Sequence, residues 1–567
     1  MSVSGGRGKI GKILFCRRST LLLSISIMVV SVLFLQGRDS NAERALLSGR
    51  VLSSGGEPLP GIPIRTRLAN KNMTMTVFTN QEGHYSYRDL LQGVHSVSIR
   101  TVGFEPVERE GVNITQGKPK QLDFTLTSVP PTISDLTTYE VVTALPGTEE
   151  QKAEAAGCSD CHSLQFVLQQ PRRNREGWLR TVERMRGVLP NGTTKSEENL
   201  KAILNQTETA NNRLAELLVS VRGPDSPDIP YNRLELPVND AYSRVLITEY
   251  HIPRGARTVI LRGDINGAWT HDLLLDSERG YVWYTDHFSN ILGRLDPESG
   301  DLKEFSYPDT RPGRGGGGHK LVFGREGNIW IGAIWQGTVV KFDPREEKFE
   351  QWMMEDFESD GRLPMVEMDL DGIVWASSTS GNIYKINPQS GATIKYVNPN
   401  GKRRIYGMGI DSKGVLLFCH MSVGKVGRFD PRTEKFTEWS TSSPNSFPRR
   451  LDIDDQDRLW FAEFEGGKLG MLDPQTGTVR EWVLADRPYV APYDVAIDRK
   501  NKMVWTTDFN SDRIFRFDMN TEQVTEFLMP EPDVEIRDIM VDSSTTPATV
   551  WIPDYRPPGK LLKLQAW

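Results

Sequence analysis

Cys158-Ser-Asp-Cys161-His162 is the stretch of this chain best equipped for chemistry. Two cysteines two residues apart, followed at once by histidine, form the attachment pattern of a c-type haem. On one helical turn both thiols can reach a porphyrin edge while the adjacent imidazole faces the iron, the commonest way a haem is ligated. A zinc site would need two further ligands nearby, and a thiol redox pair would be expected near a βαβ pattern. Neither is evident, so covalent haem is the expected cofactor. Cys158 and Cys161 would be its anchors and His162 its proximal ligand.

Helical patterning surrounds the motif. Trp178, Val182 and Met185 recur at i, i+4 and i+7, and a further helical segment runs over 197–221. Three helices around a Cys-x-x-Cys-His over 146–222 resemble a small class I cytochrome c domain. In that family a downstream methionine commonly supplies the second axial ligand, and here Met185 is the candidate. An apolar methionine on an amphipathic helix can equally be core packing.

Composition agrees with an exported protein. Lys9, Lys12, Arg17 and Arg18 precede an apolar run over 21–35, with a small-residue exit near Ala42. This reads as a signal peptide over 1–42, or as an uncleaved anchor, since the run is shorter than the roughly 20 residues that span a bilayer. A periplasmic or extracytoplasmic location follows, and a membrane enters only through that anchor. Net charge is −6 over 567 residues, which gives no basic surplus for nucleic acid. Of four cysteines, one lies in the leader, two in the motif, and Cys419 stands alone, so no structural disulfide is expected.

Residues 45–128 alternate apolar and polar positions between turn signals, the pattern of an antiparallel β-sandwich. Ser48-Gly-Arg-Val51, Pro60-Gly-Ile-Pro-Ile64, Thr79-Asn-Gln-Glu-Gly-His-Tyr-Ser-Tyr87 and Val102-Gly-Phe104 resemble the carboxypeptidase regulatory-like domain. The resemblance implies a transthyretin-like module without catalysis of its own. His84 and His95 are read there as surface or packing residues. A linker with Pro130-Pro131 spans 129–145, and a proline-rich connector spans 223–239.

From 240 to 567 the sequence repeats. Anchors at Trp283, Trp330, Trp375, Leu417, Trp460, Trp505 and Trp551 fall 42–47 residues apart. A period of that length with four strand patterns per unit predicts a seven-bladed β-propeller. The last unit ends at Leu564 before any fourth strand, and Leu246-Ile-Thr-Glu-Tyr250 carries the matching pattern upstream. The fold class is therefore mainly β and multidomain: a sandwich, a small helical domain, and a propeller closed by its own N-terminal strand.

Val282-Trp-Tyr-Thr-Asp-His287 and Ile291-Leu-Gly-Arg-Leu-Asp-Pro297, echoed in most blades, resemble the virginiamycin B (streptogramin) lyase propeller. That resemblance implies histidine and glutamate with Mg2+ at the propeller mouth, opening a cyclic ester by elimination. His271, His319, His420 and Glu463 are the counterparts proposed for catalysis, with His287 also at the mouth. Convergent histidine, carboxylate, tyrosine and arginine supply acid/base groups, yet propeller channels are commonly polar without function. Fold alone does not assign activity, and lyase chemistry gives a haem no task. The leading expectation is haem-mediated electron transfer coupled to small-molecule or partner binding at the mouth. Its rivals are a streptogramin-type lyase and a non-catalytic carbohydrate- or protein-binding module.

Overall fold

The computed structural model describes residues 45–567, apart from 158–162, 188–196, 260–262, 312–315, 355–360 and the single positions 228, 230, 232, 238, 255, 402, 422 and 533. The leader and the Cys-x-x-Cys-His motif therefore lie outside the described residues. Among those described, no helix is long and apolar enough to cross a membrane.

The period-2 patterns of the N-terminal segment form β1 (Ala45–Ser53) to β8 (Phe124–Leu126). One sheet pairs β4 (His84–Leu90) and the short β7 (Lys120–Gln121) with β1, and β8 also joins β1. The facing sheet runs β3 (Met73–Phe78), β2 (Pro63–Leu68), β5 (Gly93–Ile99), β6 (Val107–Ile114). Leu47, Val51, Ile64, Val77, Tyr87, Val97 and Phe124 fill the space between them. His95 is a packing residue there, its ring held by Thr66 Oγ1 and Leu91 O, while His84 is exposed.

Helices follow: α1 (Thr138–Ala144), α2 (Glu149–Ala156), α3 (Leu164–Leu168), α4 (Arg175–Gly187) and α5 (Glu197–Arg222). Thr137 and Thr148 open α1 and α2 with capping boxes, closed by Glu140 and Gln151, which satisfy backbone N–H groups that would otherwise lack partners. Val141, Leu145, Leu164, Trp178, Val182, Leu214 and Leu218 make one core. Met185 does not join it. One turn beyond Val182, near the end of α4, it is 47% exposed, so packing is not its role.

The C-terminal region is propeller-like, with seven four-stranded antiparallel units among the described residues. β9 (Val245–His251) pairs antiparallel with Lys560–Ala566 and so supplies the seventh unit's outer strand. The expectation that this strand would close the structure and remove an open edge needs correcting. Each sheet is open, and β9's far edge pairs with β3, Met75 opposite Thr248, so blade 7 continues into the sandwich as one eight-stranded sheet. Buried Lys560 and half-buried Arg65 both reach Glu249 and Glu531 across this seam.

In five of the blades one large ring fills the space between the second and third strands. Tyr284, Phe418 and Phe461 stand opposite Gly293, Gly427 and Gly470; elsewhere the order reverses, with Ala376 opposite Tyr384 and Thr506 opposite Phe515. A Cβ on Gly470 would sit 2.2 Å from the Phe461 ring. Overpacking of this kind costs about 1–3 kcal/mol. Gly470→Ala is therefore expected to lower the thermal unfolding midpoint of the protein, and an unchanged midpoint would contradict this packing.

Candidate functional site

Where the first strand of a blade enters the mouth, the ladder slips. Thr270 opposes Asp286 but Leu273 opposes Tyr284, so the first strand holds one extra residue at 271–272. The same irregularity falls between Gly318 and Leu321, and between Pro448 and Leu451. A bulge re-aims side chains. Here it lets two successive residues, His271-Asp272 or Arg449-Arg450, both face the centre instead of alternating.

A charged cluster results. Arg450 Nη1 donates to Asp272 Oδ1 at 2.6 Å, to Asp538 Oδ1 at 3.2 Å and to Asp494 Oδ2 at 3.3 Å. Its Nη2 donates to Asp272 Oδ2 at 3.1 Å and faces His319 Nδ1 at 3.2 Å. Burial opposes charge on Asp272, but Arg450, His319 and His271 outweigh it and hold the carboxyl well below its usual range. Asp494 and Asp538 go the other way. Burial, with the carboxylates beside each, pushes both upward.

The histidines sit on this cluster. His271 Nδ1 lies 2.6 Å from Asp272 Oδ2, and His319 Nε2 lies 2.9 Å from the Tyr406 hydroxyl, itself 2.9 Å from Tyr493. Burial lowers His271 to about 4 and holds His319 well below the usual histidine range, so both rings are neutral at physiological pH. His287 joins them, its ring stacked 4.5 Å from His271 and flanked edge-on by Phe288 and Trp335.

Of the four residues expected to act together, the structure unites His271 and His319 and separates the other two. His420 Nε2 bonds Glu438 at 3.0 Å on blade 4. Burial opposes charge on Glu438, yet its bonds to His420 and Asn400 and the nearby Arg403 bring it to about 2. Glu463 is buried beside Glu481, and burial first, then that neighbouring carboxylate, pushes it up to about 8. It can hold a proton at neutral pH. Cys158, Cys161 and His162 lie outside the described residues. Sequence reading passed over Asp272, Arg450, Asp494 and Asp538. Their signal was a charged residue directly after the mouth residue in several blades, which strict alternation assigns to the wrong face.

The helical segment docks at this end of the propeller. Tyr139 N donates to Asn510 O at 2.7 Å, Tyr489 OH to Glu149 Oε2 at 2.9 Å, and Ser163 N to Glu535 Oε1 at 2.8 Å.

Residues 310–555 match the virginiamycin B lyase family, and residues 47–127 match the carboxypeptidase regulatory-like domain. A streptogramin B lyase structure superposes with a TM-score of 0.50 at 21% identity, covering 58% of this chain and all of that one. Virginiamycin B lyase from Staphylococcus aureus, in selenomethionine-substituted form, gives 0.49 at 18% identity, covering 57% of this chain and all of its own. At 21% identity the likeness to the streptogramin B lyase structure speaks for the fold alone. No curated protein matches the chain in sequence. Magnesium takes oxygen ligands in octahedral geometry, so the imidazole cluster of this lyase-like propeller does not suit it.

The protonated Glu463 makes a pH prediction. Its folded value of about 8 lies above the roughly 4.3 of an unfolded glutamate. Folding therefore holds a proton that the unfolded chain releases, and this residue's contribution to stability falls as pH rises from about 4.3 to about 8. Glu463→Gln should gain stability over the parent across that window, on the order of 5 kcal/mol at its upper end. Unfolding midpoints of the two proteins at pH 5 and pH 8 check it, and a constant difference contradicts it.

Proposed function

We propose that the chain is an exported c-type haem protein in which the lyase-like propeller binds a small substrate or partner at its histidine-lined mouth and electrons pass between that mouth and the helical segment. One observation carries the reading. Ser163, the residue directly after the 158–162 motif, is tied to Glu535 at the mouth. Two residues on, the Arg537 guanidinium lies 3.7 Å from the ring centre of Tyr555, which is 5.5 Å from the His271 ring. Glu535, Arg537, Tyr555 and His271 thus link the flank of the motif to the histidine cluster.

Cys158 and Cys161 would anchor the haem, His162 would be its proximal ligand and Met185 its second. The half-exposed Met185, outside the helical core, supports that last assignment. A haem held there supplies a one-electron carrier. The propeller's own residues bind and orient: neutral His271 and His319 accept protons, and Arg450 fixes Asp272 behind them. Protein exported in a host that matures c-type cytochromes should give a haem-staining band and a reduced-minus-oxidised c-type spectrum. Both should vanish in Cys158→Ala/Cys161→Ala. A parent protein lacking both signals would end the redox reading.

A second reading is a lyase of the streptogramin type. It is favoured by the match to the lyase family and by the neutral, adjacent His271 and His319, bases in the state elimination requires. Incubation with a streptogramin B, with and without Mg2+, should then yield a ring-opened product that His271→Ala no longer forms. Intact substrate under both conditions rules the lyase out.

A further inference from the structure

We propose that His271, His287 and His319 bind one divalent transition-metal ion of zinc-like ligand preference at the propeller mouth. All three are buried, and one ring nitrogen of each lies within 4.8 Å of one from each of the others. A tetrahedral ion with metal–nitrogen bonds of about 2.0–2.1 Å sets its ligand nitrogens about 3.4 Å apart. Side-chain movements of about an ångström reach that spacing.

Two features point to ligation and not to packing. His271 Nε2 is buried with no hydrogen-bond partner among the described residues, an arrangement protein interiors rarely leave without a reason. Its other nitrogen is held by Asp272 at 2.6 Å. A carboxylate on the far side of a ligating imidazole fixes the tautomer and raises the basicity of the free nitrogen. His319 differs, and its Nδ1 would exchange a contact with Arg450 for the ion. Its Nε2 is engaged by Tyr406, and its Nδ1 faces inward, 3.2 Å from Arg450 Nη2 and 3.6 Å from Asp272 Oδ2.

Arg450 is the cation closest to the cluster, and Asp272, Asp494 and Asp538 surround it. The positive charge of an added ion would be met by the Asp272 carboxylate, 2.6 Å from His271 Nδ1. Phe288, Trp335 and Tyr555 wall the His287 side, with ring centres 4.9, 4.9 and 5.6 Å from it. Three imidazoles, with no fourth ligand in the group among the described residues, make the donor set of a catalytic zinc site. The open position would take water or an oxygen of a bound substrate, such as a carboxylate or an ester carbonyl. Imidazole donors favour zinc, copper, nickel or iron over magnesium.

The site does not depend on the helical segment carrying haem, and the test separates the two. Full-length protein bearing Cys158→Ser and Cys161→Ser, so that no thiolate competes, is stripped with a chelator and titrated with Co2+. It should bind one equivalent and develop the visible absorption of low-coordinate cobalt. His287→Ala, which leaves the Asp272–Arg450 cluster in place, should weaken binding at least tenfold, whereas the exposed His84→Ala should not change it. Failure of the parent to take up cobalt overturns the site without recourse to any variant. Equal affinity in a folded His287→Ala protein, judged by circular dichroism, overturns it as well.

Discussion

The guanidinium of Arg450 holds four blades of the propeller at one point. It bonds Asp272 of blade 1, Asp494 at the start of blade 6 and Asp538 at the start of blade 7, and it faces His319 of blade 2. Seven first strands converge on the axis, and three of them bring a buried carboxylate there. Without a shared cation those carboxylates would repel one another in a medium that screens them poorly. Removing one partner from such a buried cluster typically costs about 3–5 kcal/mol, because it strands the remaining charge. The mouth inherits its order from this contact: Arg450 fixes Asp272, Asp272 fixes the Nδ1 side of His271, and His271 stacks on His287.

A second constraint acts at the rim. Blade 7 does not end at its outer strand but continues through β9 and β3 into the sandwich. Phe78 of β3 enters the core that Ile514, Phe527 and Ile552 build between blades 6 and 7. Glu531, tied to Arg65 and Lys560 at the seam, lies four residues before Glu535, which receives the Ser163 N–H. The sandwich therefore braces the segment on which the helical part is anchored. The sandwich thereby acquires a positioning role.

Much of this was legible in the residues, and what was not has a physical cause. The tryptophan anchors recur because each blade buries one ring at the same place, so the repeat survives substitution at Leu417 and remains countable. The strand at 245–251 was visible because it repeats an outer-strand pattern, but its pairing with β3 was not, since edge pairing leaves no trace in alternation. At the site, His271 and His319 were found from their places at strand entries. Asp272 and Arg450 were missed because a bulge breaks the two-residue period on which face assignment rests. His420 and Glu463 occupy equivalent strand ends, yet each is turned to a neighbour on its own blade, Glu438 and Glu481, that no spacing rule reveals.

Glu535 joins the two parts that the account treats as one working unit: its carboxylate accepts the N–H that directly follows the haem-attachment motif. In the proposed haem protein a negative charge so placed would stabilise oxidised iron, so its removal should register at the haem. The midpoint potential measured by redox titration of the parent and Glu535→Gln proteins is the most direct measurement. The account predicts a higher potential in Glu535→Gln. Identical potentials in the two proteins would contradict it.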